Sequence, residues 1–147
     1  MPNSIREQIL QAVAGLLLPV AQAQGATFHR SPTTGITREQ SPALLIFPES
    51  EALTQRSNNR VERQLIVRVV ALARETSGDA PEAIADQLLV AAHAALFVNF
   101  NLGGLCLGIK ELDCEWDVED ADATAALIPA RYQITYRTLA HDLASQG

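Results

Sequence analysis

Lysine is almost missing from this chain. Of eleven basic residues only Lys110 is a lysine, and the other ten are arginines. Arginine forms planar bidentate contacts and is weakly hydrated, which favours it at buried and interfacial ion pairs. A compositional bias of the source genome accounts for the same count without any function. Cysteine is scarce as well: Cys106 and Cys114 are the only two in 147 residues. Two thiols in a domain able to build its own core are no disulfide framework, and both are expected to be small buried residues of a cytosolically made protein.

Long apolar runs are lacking too. None approaches the ~18–20 residues of a membrane span, so no membrane partner is expected. The stretch ILQAVAGLLLPVAQA imitates a secretory signal with a cleavage site at Ala21-Gln22-Ala23. Glu7 neutralises Arg6, however, and Gln11 interrupts the run, so an unprocessed chain is expected. Positive charge is outnumbered, eleven Lys and Arg against seventeen Asp and Glu, a net charge of −6. That balance disfavours unaided binding to nucleic-acid backbones, which needs clustered basic residues.

What is present points to one folded domain over residues 1–147. The chain is 48% hydrophobic and 19% charged with a mean hydropathy of +0.07, outside the range of disordered chains.

Ser4-Ile5-Arg6-Glu7 is a capping box, and Ile5, Ile9, Leu10, Val13, Leu16 and Leu17 follow at helical spacing until Pro19. A short strand is expected near Thr27–His29, then a polar loop over residues 30–42. Ala43–Phe47 reads as an apolar strand closed by Pro48, and a second polar stretch follows over residues 49–59.

Residues 61–75 are the clearest strand. Val61, Leu65, Val67, Val69, Ala71 and Ala73 share one face; Glu62, Gln64, Arg68 and Arg74 share the other. Asp79-Ala80-Pro81-Glu82 is a second capping box, opening a helix to about Phe97 that ends in Asn99–Gly104. Leu105, Leu107 and Ile109 alternate, then the parity shifts to Leu112, Cys114, Trp116 and Val118, which requires a bulge near Lys110–Glu111. The last expected strand is Arg131–Thr138, with Tyr132, Ile134 and Tyr136 on one face. The order α-β-β-β-α-β-β indicates an α+β domain, a mixed or antiparallel sheet packed against two main helices.

The chemistry of the chain turns on DCEWDVEDADAT, residues 113–124, with Asp113, Glu115, Asp117, Glu119, Asp120 and Asp122. A calcium loop starting at Asp120 needs Gly and Glu where Ala125 and Arg131 stand. A catalytic carboxylate pair needs environments that push two pKa values apart. Here Asp113, Glu115 and Asp117 alternate with Cys114, Trp116 and Val118, so the acids fall on an outer face while Cys114 and Trp116 point inward. If this strand pairs antiparallel with the last one, Arg131 and Arg137 share the acidic face, and a surplus of negative charge remains.

Arg56, Arg60, Arg63, Arg68 and Arg74 lie in one span whose single acid before Glu75 is Glu62. An Arg-rich and an acidic segment on one subunit would favour head-to-tail contacts, which close into rings when the rotation allows. Two solvated faces explain the pattern equally. His29, His93 and His141 have no metal-ligand spacing, no G-x-S-x-G elbow appears, and Gly103, Gly104 and Gly108 follow a helix rather than precede one. No catalytic residue, metal or cofactor is expected.

Taken together, the stretches SIREQILQAVAGLL, PALLIF, the long Arg-punctuated strand, a helix running into LGGL, and DADATAALIPARYQITYRTLAHDL resemble the small tail-terminator proteins of long-tailed bacteriophages, also called minor tail or tail-completion proteins. The resemblance implies an α+β subunit that assembles into a six-membered ring at the head-proximal end of the virion tail. Its implied partners are itself, the tail tube protein and the head-completion connector, with DNA passing through the lumen without specific binding. It carries no catalytic residues. The charge pattern makes Arg56, Arg60, Arg63, Arg68, Arg131, Arg137 and the six carboxylates of residues 113–122 candidates for subunit or tail-partner contacts; the resemblance supplies a reason for such complementarity and makes residues 30–42 and 49–60 candidate arms. The alternatives are a head–tail joining or neck protein, and a small enzyme or ligand-binding domain around His29, His93 or the carboxylates.

Overall fold

The computed structural model describes residues 2–74, 80–114 and 125–147. The first helix, α1 (Ile5–Ala23), opens as expected: the Ser4 side chain accepts from the Glu7 N–H at 3.0 Å. It does not stop at Pro19. Pro removes one helical donor, but burial of Leu17 and Ala21 on both sides of it holds the last turn, which closes with Ala26 N–H on the Ala21 carbonyl at 2.8 Å. The segment that imitates a secretory signal is therefore part of the core.

β1 (Thr27–Arg30) pairs parallel with β2 (Ala43–Ser57), and β2 pairs antiparallel with β3 (Arg60–Arg74). The polar stretch between β1 and β2 is a loop with a 3-10 turn at Arg38–Gln40. Its Ile36 packs on Ala43, Leu45, Val70 and Leu72, a small apolar cluster, and its Ile36 carbonyl accepts from Arg74 Nη2 at 3.1 Å.

Residues 49–57, expected as a loop, are strand. β2 stays in register with β3 as far as Ser57↔Arg60, across a turn in which Asn58 (φ 50°) and Asn59 (φ 65°) are both left-handed. That is the backbone a two-residue hairpin turn requires, and asparagine tolerates it. The strand is polar because it leaves the core: it is buried from Ala43 to Ile46 and largely exposed beyond Phe47.

The sheet order is β1-β2-β3-β5-β4, with β6 (Asp142–Gln146) also on β5. β5 (Ala125–Leu139) begins six residues before the expected strand and pairs with β3 from Arg60↔Leu139 to Arg74↔Ala125. Pro129 fits there because pairing with β4 (Gly108–Cys114) ends at Cys114↔Ala130, leaving Pro129 with only β3 beside it among the described residues. The β4 bulge falls at Leu112, between the Glu111↔Tyr132 and Asp113↔Arg131 pairs, slightly later than the sequence suggests. β6 is an addition to the expected order.

α2 (Pro81–Val98) lies beside α1, and both cover one face of the sheet. Its N-cap is Ala80, with no side-chain capping bond, so the expected capping box is not formed by a residue at that position; Asp79 lies outside the described residues. Ala85, Leu88, Ala92 and Leu96 bury against β3 and β5. With a mean hydropathy of 1.3 over 18 residues, α2 has the length and composition of a membrane span, contrary to the expectation that no segment does, yet only 22% of it is buried. Among the described residues it is a core helix on one side and carries the exposed Val90 and Val98 on the other.

Candidate functional site

Alternation along β3 sends its arginines to different places. Val61, Arg63, Leu65 and Val67 point toward the helices, and Arg63 is only 8% exposed. Arg63 Nη1 donates to Glu51 Oε2 at 3.3 Å and its Nε donates to Thr138 Oγ1 at 3.1 Å. Glu51 also accepts from Arg6 Nη1 at 3.0 Å and from the Tyr136 hydroxyl. Burial, then the bond to Glu51, pushes the Tyr136 hydroxyl well above its ordinary pKa. This cluster closes the space between α1 and the sheet, and Arg63 is spent inside the subunit. The signal for it was the parity of Arg63 itself, which matches Val61 and Leu65.

The outer face carries the opposite arrangement. Arg131 reaches Asp113 Oδ2 at 2.7 Å and Glu49 Oε1 at 3.1 Å, with all three side chains at least one-third exposed. These two carboxylates hold the Arg131 guanidinium above its ordinary pKa. Arg68 lies directly opposite Arg131 in the β3–β5 register, with its guanidinium carbon 4.9 Å from the centre of the Phe47 ring. Its Nε is buried with no hydrogen-bond partner among the described residues. Arg137 pairs with Glu62 at 3.1 Å, its neighbour in register, rather than with the acidic run.

Arg56 and Arg60 stand apart from both clusters, at the tip of the β2–β3 hairpin. Neither has a carboxylate partner among the described residues. Arg60 lines a shallow depression of about 370 Å³ with Asn58, Glu62 and Arg137. Arg60, Arg63, Arg68 and Arg74 thus occupy two faces and both ends of a strand about 50 Å long, Arg56 lies on β2, and the five do not form one patch.

An apolar depression lies between α2 and β4. It holds about 400 Å³ and is lined chiefly by Leu89, Val90, His93, Ala94, Ala130 and Tyr132, with Asp86, Glu111 and Cys114 at its polar edge. His93 Nδ1 sits 2.8 Å from the Tyr132 hydroxyl and 3.3 Å from Glu111 Oε2, and the ring packs tilted against Phe97 with centroids 4.7 Å apart. Cys114, expected inside, is exposed. The bulge at Leu112 does return it to the helix side of the sheet, opposite Ala130, at the polar edge of the groove.

That groove is the strongest candidate for an enzymatic site, and its electrostatics disfavour a cysteine nucleophile there. Burial first, then the carboxylates of Glu111, Asp113 and Asp86, raise the Cys114 thiol above its ordinary pKa, so the thiolate nucleophile is suppressed. Burial likewise raises Tyr132, leaving it a neutral hydroxyl. His29 bonds Thr27 at 2.9 Å on β1, and His141 lies in the turn before β6, so the three histidines do not meet. Among the described residues no three His, Cys, Asp or Glu side chains are placed to hold a metal ion.

Of the acidic run only Asp113 is described; Glu115, Asp117, Glu119, Asp120 and Asp122, with Trp116, lie outside the described residues. Comparison with known proteins gives little more. No protein-family model matches the chain, and no curated protein matches it. Among solved structures, a chain from the virion of a native gene transfer agent particle aligns over 90% of this chain and 90% of its own, at 13% identity and a TM-score of 0.46. A likeness at that level carries no statement about function.

Proposed function

We propose that this chain is a virion structural protein: a subunit of a homohexameric ring that caps the tail tube at its head-proximal end. The ring ends tube polymerisation and offers the head-side connector a surface. The observation that supports the reading is the division of contact chemistry on one small domain. Among the described residues a stiff hairpin ends in two arginines without carboxylate partners, and a helix with an exposed apolar face lies elsewhere on the subunit, as head-to-tail assembly needs. The family resemblance in the sequence supplies the tail. Termination is then steric: one ring face matches the tube end, and the other lacks the surface that recruits the next tube subunit. A net charge of −6 suits a lumen through which DNA phosphates pass without sticking.

The test is to add the protein to polymerising tube subunits and measure tube length by electron microscopy. Shorter tubes with ring-capped ends are expected. Unchanged lengths at saturating protein would sink the termination role and leave the neck-protein alternative standing.

A further inference from the structure

We propose that the groove between α2 and β4 is the seat for the β2–β3 hairpin of a second copy of this chain, joined head to tail. This inference rests on the ring reading above and assigns the two surfaces that would make the ring. On the groove side, helical spacing places Asp86, Val90, Ala94 and Val98 along the outward face of α2. Val90 is 63% exposed and Val98 84%, values that an isolated surface residue can show but that here form one stripe on a helix. Asp86, at the charged end of that stripe, has no ion-pair partner among the described residues, and Glu111 adds a second carboxylate across the groove.

The hairpin presents the complement. Leu53 faces Arg63 and Arg56 faces Val61 in the β2–β3 register, and Arg63 and Val61 share one face of β3. Leu53 and Arg56 therefore stand on one side of the hairpin as an apolar side chain next to an unpaired cation. Leu53 is 45% exposed. Each surface thus offers an apolar contact and one unanswered charge, of opposite sign. Neither surface can meet its complement within the subunit. The hairpin tip pairs with the Leu139 end of β5, whereas the groove lies at Ala130 and Tyr132, seven or more residues along the same strand. Such a contact repeats from copy to copy, as a closed ring demands.

The experiment is a charge exchange read by sedimentation velocity and native mass. Arg56→Glu alone and Asp86→Arg alone each place like charges across every contact, and each is expected to weaken self-association about tenfold or more. Mixing the two variants, or combining them in one chain, restores opposite charges and is expected to restore assembly. Both positions are exposed, and unchanged thermal melts confirm folding. Alkylation of Cys114, which lines the groove, should slow as the wild type associates and stay fast in either single variant. Single variants that assemble like the wild type would overturn the inference while leaving the ring to other surfaces. So would a wild type monomeric at its highest soluble concentration, with the tube-length assay still deciding the capping role. Binding of the wild type to phosphatidylcholine vesicles, abolished by Val90→Asp, would instead assign the face to lipid.

Discussion

Two arginine–carboxylate clusters are built on the same strands, one on each face of the sheet, and they differ in what surrounds them. On the inner face Glu51 and Arg63 keep 12% and 10% side-chain exposure. On the outer face Arg131, Glu49 and Asp113 keep 34%, 34% and 47%. Glu49 and Glu51 are two residues apart on one strand and would ordinarily share a face. The register shift between Pro48 and Ser50 separates them, turning one carboxylate to solvent and the other under α1. A single extra residue thus decides which ion cluster holds the subunit together and which remains available to water or a neighbour.

The largest effect is expected from removing the inner carboxylate. Glu51→Gln strands Arg63 in a water-poor site and should destabilise the fold by roughly 3 kcal/mol in urea unfolding. The double replacement Glu51→Leu with Arg63→Leu should recover much of that loss. If Glu51→Gln proves as harmless as a change on the outer face, the inner cluster is not structural.

Tyr136→Phe is the intermediate case, deleting one donor to a carboxylate for about 1.5–2 kcal/mol. It also carries a pH signature. The Tyr136 and Tyr132 hydroxyls are both raised, chiefly by burial, so the fold favours their protonated forms. Their contribution is full below the ordinary tyrosine value of about 10 and is lost as pH climbs above it. Melting temperatures measured on either side of about pH 10 should fall steeply for the wild type and less steeply for Tyr136→Phe.

The smallest effect belongs to Arg131→Ala. Its two partners are solvated, so the melting temperature should change little at low ionic strength and not at all at high salt. A large, salt-resistant loss would mean that the outer cluster is closed in solution, and the contrast between the faces would fail.

Where the core imposes a period, the elements were legible. Helical spacing marked α1 and α2, and alternation marked β3 and the second half of β5. The outer half of β2 was not legible from hydrophobicity, because beyond Phe47 every residue but Glu51 is exposed and no apolar alternation is selected. Its signal was turn chemistry, the Asn58-Asn59 pair. The start of β5 was hidden by Pro129, which is tolerated only because of where β4 pairing ends. The run of arginines looked like one basic patch because a sequence has one dimension, whereas a strand distributes alternate residues to opposite faces. The groove depended on a bulge in β4 and on pairing with a strand more than fifteen residues away, neither of which a local pattern encodes.

β3 pairs with β5 along all fifteen of its residues and with β2 from Arg60 to Leu72. The hairpin is therefore a beam and not a tether, since bending it would break two ladders at once. Whatever it touches is met at an angle set when the chain folded, with little ordering entropy left to lose on contact. In a closed assembly that angle is the quantity that counts subunits. Loosening the beam at Arg63 or Glu51 would then change how many copies close a circle before it changed how tightly two of them hold.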